Sequence, residues 1–213
     1  HSLLDQLNLQ INWLHLFISC DTIKTPRFAL NWLQGFNRRS QKEGFHNILQ
    51  AYMSWYIVLY TIKRWLKLVL LSWRLHKIKY AFSPEGSRLS LWPIMKEDWY
   101  ASMRGAVAVN NLLLMELFNR MMDDLPHQTK GLYLFENQAW ERTFVHTWRK
   151  KGHGKLIAVP HSTRSFWDIR FYRDSKIRNL RDPYPLPHPD LIAVNGKAAL
   201  EILAIIAYHQ PIT

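Results

Sequence analysis

Glu136, Asn137 and Gln138 follow a short apolar run, Leu132-Tyr133-Leu134-Phe135. His161, Ser162 and Thr163 come soon after a second one, Leu156-Ile157-Ala158-Val159. A carboxylate and an imidazole at such places suit proton transfer, since each can take a proton from a hydroxyl. An acid at the carboxyl end of a strand has no helix to cap by default, so Glu136 is read as a functional residue. Glu141, five positions on, stands where a helix dipole favours an acid, and the structural reading is the stronger of its two. His161 reads equally as a general base, a phosphate ligand or part of a helix cap with Ser162. Asp168 reads as a loop ion pair with Arg170 or as a carboxylate with a chemical role. Ser162, His161 and Asp168 make no hydrolase triad, because no G-x-S-x-G elbow is present. Gly152-His153-Gly154-Lys155 lacks the spacing of a P-loop.

The elements that must position these residues are legible around them. Residues 131–163 read as strand, helix, strand. Trp140, Phe144, Val145 and Trp148 recur at helical spacing, Arg149-Lys150-Lys151 fills the last turn, and Gly152 and Gly154 stop the helix. The two apolar runs are continuous, as for strands buried on both faces of a parallel sheet, where ligands collect beyond the carboxyl ends. Glu136 and His161 are therefore expected as neighbours at one edge of one cleft. A third strand is expected over 190–194, followed by a turn at Asn195-Gly196 and an apolar helix over 197–207. Strand-then-helix order repeated in this way predicts an α/β layer with right-handed crossovers.

Before this core the expectations are a strand over 10–19, a short helix over 28–34, a short strand over 89–92 ended by Pro93, and a long helix from an Asp98 N-cap to Leu125. Its core face would be Leu112, Met115, Leu117, Phe118, Met121 and Met122. Residues 45–80 carry a helical stripe, Ile48, Tyr52, Trp55, Leu59, Ile62, Leu66, Val69 and Trp73, in steps of four and three. Lys63, Arg64, Lys67, Arg74, Lys77 and Lys79 cluster in the second half of the segment, with no acid among them. Lys63-Arg64 interrupt the apolar run too early for a membrane-spanning helix. Two readings stay open: a basic amphipathic helix lying on an anionic membrane, and a core helix whose stripe packs on its own protein.

The chain of 213 residues is long enough for one large or two small domains. With 48% hydrophobic and 21% charged residues it is not a disordered chain. The net charge of +12 with ten tryptophans points to an anionic partner and an aromatic-rich surface or core. A single cysteine, Cys20, excludes an internal disulfide framework, and the histidines show no HExxH or Cys cluster, so no metal is expected. A reducing compartment fits best. No signal peptide is read at the start, and the sequence reads as beginning inside a longer protein.

Taken together, ENQxWE at 136–141, HSTxxFWDxR at 161–170 and PxPDxIAVNGxxA at 187–199 resemble a family of bacterial surface-carbohydrate biosynthesis proteins. These look like glycosyltransferases of the GT-B architecture that build O-antigen and capsule. The resemblance covers residues 92–208, with Ala207-Tyr208-His209 departing from an expected Gly-Tyr-Pro. It implies an α/β fold: a Rossmann-like parallel sheet with flanking helices, the N-terminal half of a GT-B pair, with a helical insertion at about 45–80. Residues 1–213 would be one acceptor-side domain, with the core at 130–207 and the donor half beyond Thr213. The implied donor is a nucleotide sugar, CMP-linked and acidic, with no further cofactor. The implied acceptor is a surface glycan or lipid-linked saccharide, and the implied place is the cytoplasm, at the inner face of the cytoplasmic membrane. Glu136, His161 and Asp168 are the implied catalytic set; Gln138, Glu141, Ser162, Arg164, Arg170, Asn195 and Gly196 are the implied binding set. The rival classes are a basic nucleic-acid-binding module and a membrane-associated scaffold without catalysis. No RRM, KH or helix-turn-helix signature supports the nucleic-acid rival.

Overall fold

The computed structural model describes residues 11–39, 44–83, 86–160, 186–194 and 196–205. Strands β1 (Asn12–His15) and β2 (Phe45–Ile48) pair in parallel, from Asn12 opposite Phe45 to His15 opposite Ile48. Helix α1 (Pro26–Arg39) joins them and buries Ala29 and Leu33 against Ile48. It is twice the length expected, and the strand before it is shorter. Asn37 fastens α1 to β2 with both ends of its amide: Nδ2 donates to the His46 carbonyl at 2.8 Å, and Oδ1 accepts from the His46 N–H at 2.9 Å.

Strands β3 (Lys130–Leu134), β4 (Lys155–Val159) and β5 (Leu191–Ile192) form a second parallel sheet in the order β3-β4-β5. Lys130 lies opposite Lys155 and Leu134 opposite Val159; Ile157 and Ala158 lie opposite Leu191 and Ile192. Central β4 is the strand with Leu156 and Ala158 fully buried. β3 is an edge strand, and only Tyr133 of its middle residues is buried. Leu132 and Leu134 are 67% and 57% exposed, so the expectation that this run is buried on both faces does not hold. Its alternation is that of a half-covered strand. The architecture is a mixed α/β fold with two small, separately paired parallel sheets among the described residues, in place of one continuous sheet.

Helix α5 (Ala139–Lys150) crosses from β3 to β4 and lays Phe144, Val145 and Trp148 on the sheet. Helix α4 (Ala106–Asp124) packs over α5 through Leu117, Phe118, Met121 and Met122, and the Phe118 ring meets Phe144 at 5.4 Å. Burying an aromatic side chain of this kind is worth ~3 kcal/mol. Leu117, Phe118, Met121 and Met122 are the part of the expected face that reaches the core.

The expected helix over 45–80 is four elements. Residues 45–48 are β2 and Leu49–Tyr52 is a single 3-10 turn. Helix α2 (Trp55–Arg74) then starts where the Ser54 hydroxyl accepts from the Ile57 N–H at 3.3 Å, and His76–Phe82 tighten into 3-10 geometry. Its inward side is Ile57, Thr61 and Ser72, with Arg64 paired to Glu116 on α4. The heptad stripe faces the other way: Trp55, Leu59, Ile62, Leu66 and Trp73 are all exposed. The reading in which that stripe packs on the described core holds for Ile48 and Tyr52, which lie before α2, and fails for Trp55, Leu59, Ile62, Leu66 and Trp73.

Residues 89–92 are not a strand. Pro93 lies in the first turn of α3 (Trp92–Met103), where its missing N–H costs nothing. Asp98 is inside α3 and caps nothing. The long helix expected from Asp98 divides at Arg104-Gly105, where both N–H groups fold back onto the Tyr100 carbonyl, at 2.8 and 3.2 Å. No helix among the described residues is long and apolar enough to cross a membrane.

The joint that starts β3 and β4 is tightly made. Gly154 N–H donates to the Gln128 carbonyl at 2.8 Å, and a Cβ on Gly154 would lie 2.0 Å from the Thr129 carbonyl oxygen. His153 Nδ1 accepts from the Gln128 N–H at 3.1 Å, and its ring lies 4.6 Å from Trp148. Gly154→Ala is expected to force the two strands apart and lower the melting temperature by roughly 3–10 °C, measured by circular dichroism. Burial, and then the neighbouring His127, hold the His153 imidazole below its usual 6.5, and burial does the same for His15. In the unfolded chain these rings take up protons at higher pH than in the fold. The stability these two rings contribute is therefore expected to be full above pH 6.5 and to fall as pH drops from there toward the lowered folded values, and urea unfolding at pH 7.5 and 5.5, with each His replaced in turn, measures this.

Candidate functional site

All three strands of the second sheet run the same way, so their carboxyl ends share one edge. Leu134 of β3 ends beside Val159 of β4, and the Phe135 N–H extends the pairing by donating to the Val159 carbonyl at 3.0 Å. Glu136 is the next residue on one strand and Pro160 on the other. This is where a βαβ unit places ligand-binding side chains.

The turn from β3 into α5 is built around Glu141. Its Oε1 accepts from the Glu136 N–H at 2.7 Å and from the Gln138 N–H at 2.9 Å. The Gln138 carbonyl in turn accepts from the Glu141 N–H at 3.2 Å, which closes the turn, while the Glu141 side chain on the Gln138 N–H is the N3 half of a capping box. Asn137, between the two donors, has φ of 57°, a left-handed conformation that asparagine tolerates. Its Oδ1 accepts from Arg142 Nη2 at 3.3 Å.

Only 2% of Glu141 is exposed, and its Oε2 has no hydrogen-bond partner among the described residues. Burial pushes its carboxyl above the usual carboxylate range. The N–H groups of Gln138, Glu136 and Asn137 oppose the shift by favouring the charged form, and the charge of Glu136 adds to it. A βα turn with converging N–H groups at a helix start is otherwise a place for a phosphate. Here those N–H groups are taken by the protein's own carboxylate. Glu141 thus orders the turn from inside, Gln138 lies exposed at the N-cap, and Glu136 is half-buried at the sheet edge.

Gly196 stands at the same edge beyond β5. It has φ of 115° and accepts from the Leu200 N–H at 3.2 Å as α6 (Lys197–Ile205) begins. The structure therefore brings Glu136, Gln138, Glu141 and Gly196 to one edge. His161, Ser162, Arg164, Asp168, Arg170 and Asn195 lie outside the described residues. Among the described residues no three His, Cys, Asp or Glu side chains gather as a metal-binding set.

The sequence reading missed Asp190. Its Oδ2 accepts from the Leu156 N–H at 2.8 Å, its own N–H donates to the Leu156 carbonyl at 2.9 Å, and Oδ1 meets Arg149 at 3.2 Å. It clasps β5 and α5 to the start of β4. The aspartate after Pro189, just ahead of an apolar run, was the available signal.

Comparison of the chain with protein-family models, with curated proteins and with solved structures finds no match. What the described residues define is a mixed α/β chain whose three-stranded parallel sheet carries an acidic βα turn at its carboxyl edge.

Replacing Glu141 separates its two parts, acceptor and charge. Glu141→Ala leaves the Glu136 and Gln138 N–H groups without an acceptor and is expected to cost about 1–3 kcal/mol, read by urea unfolding. Glu141→Gln keeps an oxygen for them and is expected to cost less. Because the folded carboxyl titrates above 4.5, its contribution to stability falls as pH rises through the window above that value. That slope is expected to vanish in the Gln variant.

Proposed function

We propose that the chain is the acceptor-side, Rossmann-like half of a GT-B glycosyltransferase. It moves a sugar from a nucleotide-activated donor, CMP-linked and acidic, to a bacterial surface glycan or lipid-linked acceptor at the inner face of the cytoplasmic membrane. The observation that carries the reading is the position of Glu136: half-buried, at the shared carboxyl edge of the parallel sheet, beside the end of the strand that leads to His161. The motifs ENQxWE, HSTxxFWDxR and PxPDxIAVNGxxA, which resemble those of surface-carbohydrate biosynthesis proteins, follow or lead into that edge.

In this reading Glu136 or His161 accepts the proton of the acceptor hydroxyl as its oxygen bonds to the anomeric carbon. The bond from that carbon to phosphate breaks, and the nucleotide leaves with the electron pair. Arg164 and Arg170 hold the donor's carboxylate or leaving phosphate, for which a guanidinium offers two parallel donors. Asp168 serves as the nucleophile if configuration is retained. Gln138, Ser162, Asn195 and Gly196 position substrate, and Glu141 acts indirectly by fixing the turn that carries Glu136. The exposed apolar stripe of α2, flanked by Lys63, Lys67 and Arg74, supports a location at an anionic membrane surface.

In the protein carrying both halves, Glu136→Gln and His161→Ala are each expected to lower the transfer rate by about 10²–10⁴-fold, with thermal unfolding unchanged. Product formation from a labelled CMP-sugar measures the rate. Wild-type rates in both variants would remove these residues from the mechanism.

A further inference from the structure

At the corner where α2, the 3-10 stretch His76–Phe82 and α3 meet lies a cleft of about 320 Å³. Its walls include Trp92, Trp99 and Tyr100, and its cationic or titratable groups are Arg104, Lys79 and His76. No acid lines it. Among the described residues none of these three basic side chains has a carboxylate partner.

Arg104 is held in place as an anion ligand would require. Its Nε donates to the buried Ser72 hydroxyl at 2.6 Å, and its guanidinium lies 5.1 Å from the Tyr100 ring and 6.0 Å from the Trp99 ring. The Ser72 hydroxyl itself donates to the Val69 carbonyl at 2.6 Å, which leaves its oxygen free to accept. The Nη side of the fork is not consumed by these contacts. A fixed fork of this kind matches a phosphate.

The surface around the cleft is apolar to a degree that water does not favour. Leu70, Trp73, Tyr80, Leu89 and Ile94 are all more than half exposed. Along α2, Trp55, Leu59, Ile62, Leu66, Leu70 and Trp73 fall within an arc of about 80° at roughly 100° per residue. Lys63, Lys67 and Arg74 flank that arc, and no acid occurs between Glu43 and Glu85. An apolar arc, a basic flank and aromatic residues between them is the pattern of a helix lying in a bilayer interface.

A nucleotide fits the cleft less well. A base needs an open ring face, whereas Trp92, Trp99 and Tyr100 pack edge-on to one another and Arg104 covers two of the rings. We propose that this corner is the docking surface for an anionic bilayer, with the Arg104 cleft holding the phosphate of a lipid headgroup while the α2 arc inserts among the acyl chains. The inference deepens the membrane location in the preceding reading and is independent of the sugar chemistry.

The test is flotation of the protein with vesicles of neutral phosphatidylcholine alone or mixed with phosphatidylglycerol. Binding to the mixed vesicles is expected at least tenfold tighter, weakening as salt rises. Arg104→Gln and Lys79→Gln are each expected to weaken it about fivefold, and Leu70→Ser with Trp73→Ser to weaken it further, all with unchanged circular dichroism. Arg104→Lys, which keeps charge without the fork, is expected to fall between. Equal affinity for both vesicle types, unaltered binding by both charge variants, or binding to single-stranded nucleic acid without binding to vesicles would each overturn the proposal. Failure to bind a CMP-sugar would overturn the enzymatic reading and leave this one standing.

Discussion

The carboxylate of Glu141 is the interaction on which the sheet edge depends. One of its oxygens gathers the N–H groups on either side of Asn137 and so converts the end of β3 into the start of α5. Three consequences follow from that one contact. Asn137 is drawn into a left-handed conformation, Glu136 is fixed at the edge as the last residue of the extended run, and α5 starts at an angle that lays Phe144 and Trp148 on Tyr133 and Leu156. The same contact excludes the turn from phosphate binding, since an incoming phosphate would have to displace a buried anion that already uses those donors. An anion at this edge would have to be held by side-chain cations, of which Arg142, already reaching Asn137 Oδ1, is one beside the turn.

The second constraint is the division of α2 between an inward side of mostly small and polar residues and an outward apolar stripe. The side that packs on α4 contains Thr61 and Ser72, small residues that let the helices approach and let Arg64 and Arg104 reach across. The side with Trp55, Leu59, Leu66 and Trp73 is left to the exterior. Large aromatic and aliphatic side chains bury more area than Thr or Ser, so an outward stripe of this size marks a face that gains free energy by leaving water. That preference is what the proposed membrane docking of this face rests on; no described helix is long and apolar enough to cross a bilayer.

How much of this was legible in the sequence differs from element to element. The unit from β3 to β4 was, because a run of four apolar residues, a change to helical spacing at Trp140 and two glycines after Lys151 are all local signals. That β3 lies at an edge, with Leu132 and Leu134 exposed, was not, because strand order is set by non-local pairing. The periodicity of 55–73 was visible and its direction was not. A stripe tells that a face is apolar; which face meets the core depends on the partner helix. Pro93 and Asp98 misled for opposite reasons, Pro93 being as good a first-turn helix residue as a strand stop, and Asp98 an acid tolerated inside a helix. The position of Glu136 at the end of β3 and the structural part of Glu141 were readable from their distance to the helix start, whereas Asp190 shows its role only once β5 is seen beside β4.

The measurement that bears most directly on the proposed transfer site is backbone hydrogen exchange, followed in the chain together with the donor half that the proposal calls for, with and without a CMP-linked acidic sugar and a membrane-extracted acceptor. The account predicts slowed exchange in residues 133–141 and 156–160, the two limbs of the carboxyl edge, with α1 unchanged. Exchange slowed only elsewhere, or nowhere, would contradict the assignment of that edge as the site of sugar transfer.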